Sequence, residues 1–391
     1  MFLSSLTKSS QVALDAFKLD GMMIRYSQFV PRLYNFCLSL GMEAGKIMPS
    51  RAFCSDESQG FPVILLGKHF GAFPFNHGMV GGIVSTNRHG PHAAHGEDLL
   101  IIQASHVGYE PDTKKFGIYR RVQTHDCRHS SNCGKIAGTI KWYLDEYHFA
   151  CNNIYLEPLD GNLYQISINN LFLQADRDEG LMIDFDKLIA QDEAGDLKLT
   201  RSLSTARRFN ASEKLIELVG ENWPTEQKLP IGTFLAPELF SFQRHFLETS
   251  EEGIEHLEKI LLEFMPWVVT HPEPTLAAAQ FTTQVEFDRA YRSILNEASY
   301  KNRNLLFISG LNIDISPNKE RQTFPLTKFV PWAAYVQKSD GTQFVMEQQE
   351  LYDTLFKFEM SNDREINLEK EIDNMEHAKE VQISYDFLNK K

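Results

Sequence analysis

Cysteine is scarce in this sequence, positive charge is in deficit, and no apolar run is long. The five cysteines, Cys37, Cys54, Cys127, Cys133 and Cys151, are too few and too irregularly spaced in 391 residues to form a secreted disulfide framework, and they fit a reducing compartment. Lys and Arg number 39 against 52 Asp and Glu, a formal net charge of -13 with a pI near 5.5. That balance argues against a general nucleic-acid binder, because neutralising phosphates takes clustered basic residues. A small neutral or anionic ligand is compatible with it, since a local pocket can be positive on an acidic chain. No apolar stretch approaches bilayer thickness, and Met1-Phe2-Leu3-Ser4-Ser5-Leu6 lacks the basic start and continuous apolar core of an export signal. The expectation is a cytoplasmic protein with no membrane span. Also missing are a Gly-x-Ser-x-Gly elbow, a phosphate-binding glycine loop with its Lys and Ser or Thr, and any internal repeat.

What is present is enough apolar material for a large core, 42% of residues, in a chain long enough for two or three structural units. Residues 10–45 carry apolar positions at helical spacing broken near Gly21 and Pro31, which predicts two helices, with Cys37 a buried thiol in the second. Residues 51–56 suit a strand entering a loop. Leu99 to Ala104, apolar except for Gln103, has the pattern of a buried parallel strand with His106 toward its carboxyl end, where open α/β sheets place their ligands. Residues 116–122 read as a short strand carrying Arg120 and Arg121. Ile136, Ile140, Tyr143, Leu144 and Tyr147 predict a helix through Phe149, capped by Ser130, Ser131 or Asn132. Cys133 then lies at a helix amino terminus, where unpaired N–H groups and the dipole favour a thiolate.

Residues 152–170 alternate around Asp160-Gly161 as a hairpin does. Residues 171–265 read as mostly helical, clearest at 213–219 and 251–264; residues 266–274 as a linker anchored by Trp267; residues 281–298 as a helix. Strand-like segments at 304–315, 329–336 and 344–346 predict a second, smaller α+β unit. The last thirty residues are charged and read as a peripheral helix or a partly disordered tail.

Chemistry-bearing residues concentrate between Arg51 and Phe149, which hold nine of the 13 histidines and three of the five cysteines. Two thiolates and one imidazole give zinc three protein ligands and leave a fourth position open, the arrangement of a catalytic site. Cys54 to His106 spans 52 residues and His106 to Cys133 spans 27, far wider than zinc-finger spacing. On spacing alone, core cysteines and a loop histidine are an equal reading. His89, His92 and His95, or His125, Cys127 and His129, offer a second metal site by spacing; loop polarity or a proton relay through His95 or His92 is preferred.

Five short segments break that tie. Cys54-Ser55-Asp56-Glu57, the glycine-rich stretch from Phe73-Pro74-Phe75 to Gly82 followed by His92 and His95, Ser105-His106-Val107-Gly108-Tyr109, Gly117 to Arg121, and Asn132-Cys133-Gly134 occur in this order. Together they resemble the motifs of the limiting-CO2-inducible B/C family, which is related to the theta-class carbonic anhydrases and folds like a β-type carbonic anhydrase. The resemblance covers residues 50–150. It implies an α/β fold, a β-carbonic-anhydrase-like sheet flanked by helices, to which the strand pattern after residue 304 adds a carboxyl-terminal α+β region. Residues 1–170 would form the zinc-binding core and residues 171–391 a helical and α+β region of unassigned role.

The resemblance further implies that Cys54, His106 and Cys133 bind Zn2+, and that Asp56 pairs with an arginine beside the metal: Arg121 by its position after Gly117, with Arg120 as the fallback. The β-class pattern puts an arginine shortly after the Cys-x-Asp, whereas Glu57-Ser58-Gln59-Gly60 stand here, so the arginine comes from elsewhere. The implied activity is reversible hydration of CO2 to bicarbonate by zinc-bound hydroxide, in a homodimer. Two other readings stand beside it. One is a non-catalytic zinc-binding homologue acting as an inorganic-carbon sensor or assembly protein. The other is a zinc hydrolase or deaminase, although the Pro-Cys-x-x-Cys half of the deaminase signature is missing.

Overall fold

The computed structural model describes residues 10–84, 98–120, 129–170, 179–202, 205–245, 254–317 and 324–379. Its centre is the strand expected from Leu99–Ala104, which extends from Asp98 to Glu110 and is buried along almost its whole length. Side chains alternate across it: Leu99, Ile101 and Val107 join one apolar cluster, while Leu100, Ile102 and Ala104 join another on the opposite face. Both faces are covered, which is why the run reads as continuously apolar rather than alternating.

In chain order the main sheet comprises β1 (Ile24–Arg25), β2 (Ile47–Ala52), β3 (Phe75–Asn76), β4 (Asp98–Glu110), β5 (Lys115–Phe116), β6 (Leu305–Ile315), β7 (Leu326–Gln337) and β8 (Gln343–Met346). They lie in the order β1-β7-β6-β4-β2-β3, with β8 on β7 and β5 on β4. The β6, β4, β2 and β3 neighbours are parallel, and the β7 side is antiparallel. One face is covered by helices Ser10–Ala16, Gly134–Asn153 and Pro274–Asn296, the other by Tyr26–Ser39, Gly60–Phe70 and Gln348–Phe356. The fold is therefore a mixed α/β sheet flanked by helices.

Several expectations need correction. Segments 304–315 and 329–336, expected to build a separate carboxyl-terminal unit, are β6 and β7 at the middle of this sheet, so the sheet takes strands from both sides of residue 170. Pairing between strands 200 residues apart leaves no local trace in either segment. Residues 171–265 are not mostly helical: their described part holds strands Gly180–Ile183, Leu199–Ser202, Ala206–Asn210, Leu229–Pro230 and Phe240–Gln243. Three of these join the hairpin of Ile154–Leu156 and Gln165–Asn169 in a five-stranded sheet. Such short strands, for example Ala206-Arg-Arg-Phe-Asn, are too brief and too polar to show a period of two. The expected linker at 266–274 begins as a helix, Met265–Thr270, with Pro266 in its first turn, where a proline costs nothing. Helices at 213–219, within 251–264 and over most of 281–298 appear where periodicity puts them.

Candidate metal centre

Parallel strands end unevenly here, and the unevenness makes the site. β2 stops at Ala52 opposite Gln103, whereas β4 continues, so Cys54 in the loop after β2 comes level with the part of β4 that carries His106. Cys133 arrives as the N-cap of helix Gly134–Asn153. Gly108 N–H donates to Asn132 O, Asn132 N–H to Gly117 O and Gly117 N–H to Gly108 O, each at 2.9 Å. That ring of backbone bonds fixes the approach to Cys133. The ligand atoms of Cys54, His106 and Cys133 lie within 4.8 Å of one another, all three buried, and the two sulfurs are 3.8 Å apart.

The glycines explain how a loop closes over Cys54. Gly81, at φ +74°, donates its N–H to Cys54 Sγ at 3.4 Å. A Cβ at Gly78 would stand 2.2 Å from Phe53 O, and one at Gly82 (φ +81°) 2.1 Å from Ala104 O. We expect Gly82→Ala to lower stability by at least about 2 kcal/mol, through a strained φ and a collision with rigid backbone. Urea denaturation checks this, and a loss under about 0.5 kcal/mol would mean that the close approach is dispensable.

His106 is fully buried, and its Nδ1 lies 2.9 Å from Asp314 Oδ2 on β6. Its Nε2 has no hydrogen-bond partner among the described residues, although a buried polar atom normally finds one. Two sulfurs and this nitrogen fit a borderline-soft divalent ion such as zinc. Burial opposes a charge on His106, but Cys133, Asp314 and Cys54 around it outweigh burial and push the imidazole well above its ordinary value. The sulfurs divide unequally. The hydrogen bond with Cys133, aided by His106 and the Gly81 N–H and opposed by burial, pulls the Cys54 thiol down to about 3; the same contact and burial push Cys133 up to about 12.

Asp56 caps the turn Glu57–Gln59 through Ser58 N–H at 3.2 Å. Burial and a hydrogen bond with Glu57 raise its carboxyl to about 6 against the pull of His106. Glu57 in turn accepts from Tyr119 OH at 2.6 Å. Arg121 lies outside the described residues. Arg120, the fallback, is held by Glu110 at 3.1 Å and Asp112 at 3.3 Å, so its guanidinium is committed to a different carboxylate cluster.

His89, His92, His95, His125 and Cys127 also lie outside the described residues. His129 pairs with buried Glu110 at 3.1 Å. Among the described residues Cys54, His106 and Cys133 are the one Cys, His, Asp and Glu group that could hold a metal. Cys37 is the buried core thiol expected, with burial raising its pKa. Sequence reasoning missed Asp314, together with Ser58 and Gln59, which donate to its Oδ2 at 2.8 Å each. A signal existed: an aspartate inside the apolar strand Leu305–Ile315 is an unusual placement for a charge.

His77, beside β2, contributes a pH dependence of its own. It is 3% exposed, and burial first and Arg51 second depress it to about 4. In the unfolded chain it titrates near 6.5. Between those values the unfolded state holds the extra proton, so stability is complete above about pH 6.5 and falls as the pH drops toward 4, by about 3 kcal/mol. Urea denaturation at several pH values should give a shallower acid slope for His77→Gln than for wild type. Equal slopes would remove this histidine from the account.

Among the described residues no helix is long and apolar enough to cross a membrane. No protein-family model matches the chain, and no curated protein does. Among solved structures it is similar to PtLCIB4, a homologue of the limiting CO2-inducible protein LCIB, at 12% identity and a TM-score of 0.49 over 86% of this chain and 99% of that one. It is also similar to LCIB itself, at 10% identity and a TM-score of 0.44 over 87% and 99% of the two chains.

Proposed function

We propose that this protein is a zinc-dependent carbonic anhydrase, converting CO2 and bicarbonate, and that it works as a cytoplasmic homodimer. The observation that carries the reading is the convergence of Cys54, His106 and Cys133 from a loop, a strand and a helix start onto one buried point. Three ligands of this type leave a coordination position for solvent. Zinc held there supplies a Lewis acid that brings the pKa of water to about 7, as is general for carbonic anhydrases.

The chain's own residues do the rest. Cys54 and Cys133 bring negative charge that offsets the ion in a buried setting, and the Gly78–Gly82 backbone closes over Cys54 and keeps bulk water off it. Asp56 accepts a hydrogen bond from the reacting water at a carboxylate oxygen and so orients the lone pair that attacks CO2. Glu57 and the Ser58 N–H hold that carboxyl. Arg121 is assigned the charge-assisted contact that fixes Asp56 during turnover. Stopped-flow CO2 hydration on zinc-loaded protein tests the reading. Turnover supports it; zinc uptake without turnover favours the inorganic-carbon sensor or assembly role; protein that takes up no zinc overturns both.

A further inference from the structure

We infer that Asp314 is the positioning residue of the metal centre: it takes the Nδ1 proton of His106, dedicates Nε2 to the ion, and ties the Cys54 loop to the same carboxylate. The inference rests on the zinc reading above and adds a member from a part of the chain to which the sequence assigned no role.

A carboxylate can only accept, so the 2.9 Å contact between Asp314 Oδ2 and His106 Nδ1 requires the proton on Nδ1. With Nδ1 engaged, Nε2 is the nitrogen left to join the two sulfurs, and it is the buried atom without a hydrogen-bond partner among the described residues. A histidine ligand whose second nitrogen donates to a carboxylate is fixed in tautomer and ring orientation and becomes the better base.

Asp314 is itself over-determined. Oδ2 accepts from Ser58 Oγ and Gln59 Nε2, both at 2.8 Å, and Oδ1 accepts from Thr327 Oγ1 at 2.9 Å on β7. With His106, four donors converge on this carboxylate, three of them on Oδ2. Two of these donors are steadied in turn: Asn132 Nδ2 donates to Ser58 Oγ at 3.1 Å, and Asn312 Nδ2 donates to Gln59 Oε1 at 2.7 Å. Tyr26 OH donates to Asn312 Oδ1 at 2.8 Å. Asn312 lies opposite His106 in the parallel register of β6 on β4, and Asp314 lies two residues on, on the same face. Ser58 follows Cys54 by four residues and Asn132 precedes Cys133, so one buried side chain gathers all three ligand-bearing segments.

The test compares zinc affinity of full-length wild type and Asp314→Asn by competition with a chromophoric chelator. Thermal melts of the metal-free proteins establish that both are folded. We expect Asp314→Asn to bind zinc about 10- to 100-fold more weakly. An affinity within twofold of wild type, in a folded variant, overturns the inference. A measurement on wild type does not depend on any variant folding: nitrogen-15 histidine NMR of the zinc-loaded protein should find His106 protonated at Nδ1 and metal-bound at Nε2. Ligation through Nδ1 overturns the inference while leaving the zinc reading intact. Wild type that takes up no zinc after loading overturns the zinc reading and this inference with it.

Discussion

Replacing any one of Cys54, His106 and Cys133 with alanine is expected to weaken zinc binding about a thousand-fold. The three share one buried point and supply every Cys, His, Asp or Glu ligand gathered there among the described residues. Structural zinc sites in small peptides bind with roughly 10–16 kcal/mol; on that scale an equal share per ligand is about 4 kcal/mol, or about three powers of ten. The loss should exceed that of one contact, because each side chain is also what keeps its partners from being unpaired polar groups in an apolar setting. Wild type should carry about one zinc per chain by elemental analysis, and the alanine variants should lose it on dialysis against a weak chelator. Retention of a full equivalent by all three variants would place the ion elsewhere and end the case for this centre.

Turnover should respond most to Asp56. Asp56→Asn keeps the shape of the side chain but replaces one acceptor oxygen with a donor, so it can no longer accept from the reacting water in the same way. We expect CO2 hydration to fall by at least about 100-fold, the scale of a positioned proton acceptor, with zinc content unchanged. Arg121→Ala should produce a loss of the same direction by releasing the carboxylate. Stopped-flow assays with parallel metal analysis separate the two quantities. An Asp56→Asn enzyme that holds zinc and turns over within threefold of wild type would show that the carboxyl plays no part in the chemistry.

The candidate ligand set was readable because thiolate and imidazole chemistry is confined to few residue types, and the ordered segments around Cys54, His106 and Cys133 narrowed many triplets to one. Their local settings were readable too. The apolar run Leu99–Ala104 announced a buried strand, and the helical spacing from Ile136 to Tyr147 announced a helix with Cys133 at its amino terminus. The arginine was not readable. Arg120 and Arg121 are adjacent in the chain, and commitment of Arg120 to Glu110 and Asp112 depends on where β4 ends relative to the strand Ile118–Arg120.

By itself, then, the sequence determined which residue types can hold a metal and which segments are strands and helices in its amino-terminal part. These follow from side-chain chemistry and from periodicities that span a few residues. Only the tertiary structure decided that β6 belongs beside β4 with β7 beyond it, that three candidate ligands spread over 80 residues meet within 4.8 Å, and that Asp314 stands against His106 from 208 residues away. Register between distant parallel strands is set by packing on both faces of the sheet and by hydrogen bonds every backbone can make, so no short stretch of sequence encodes it.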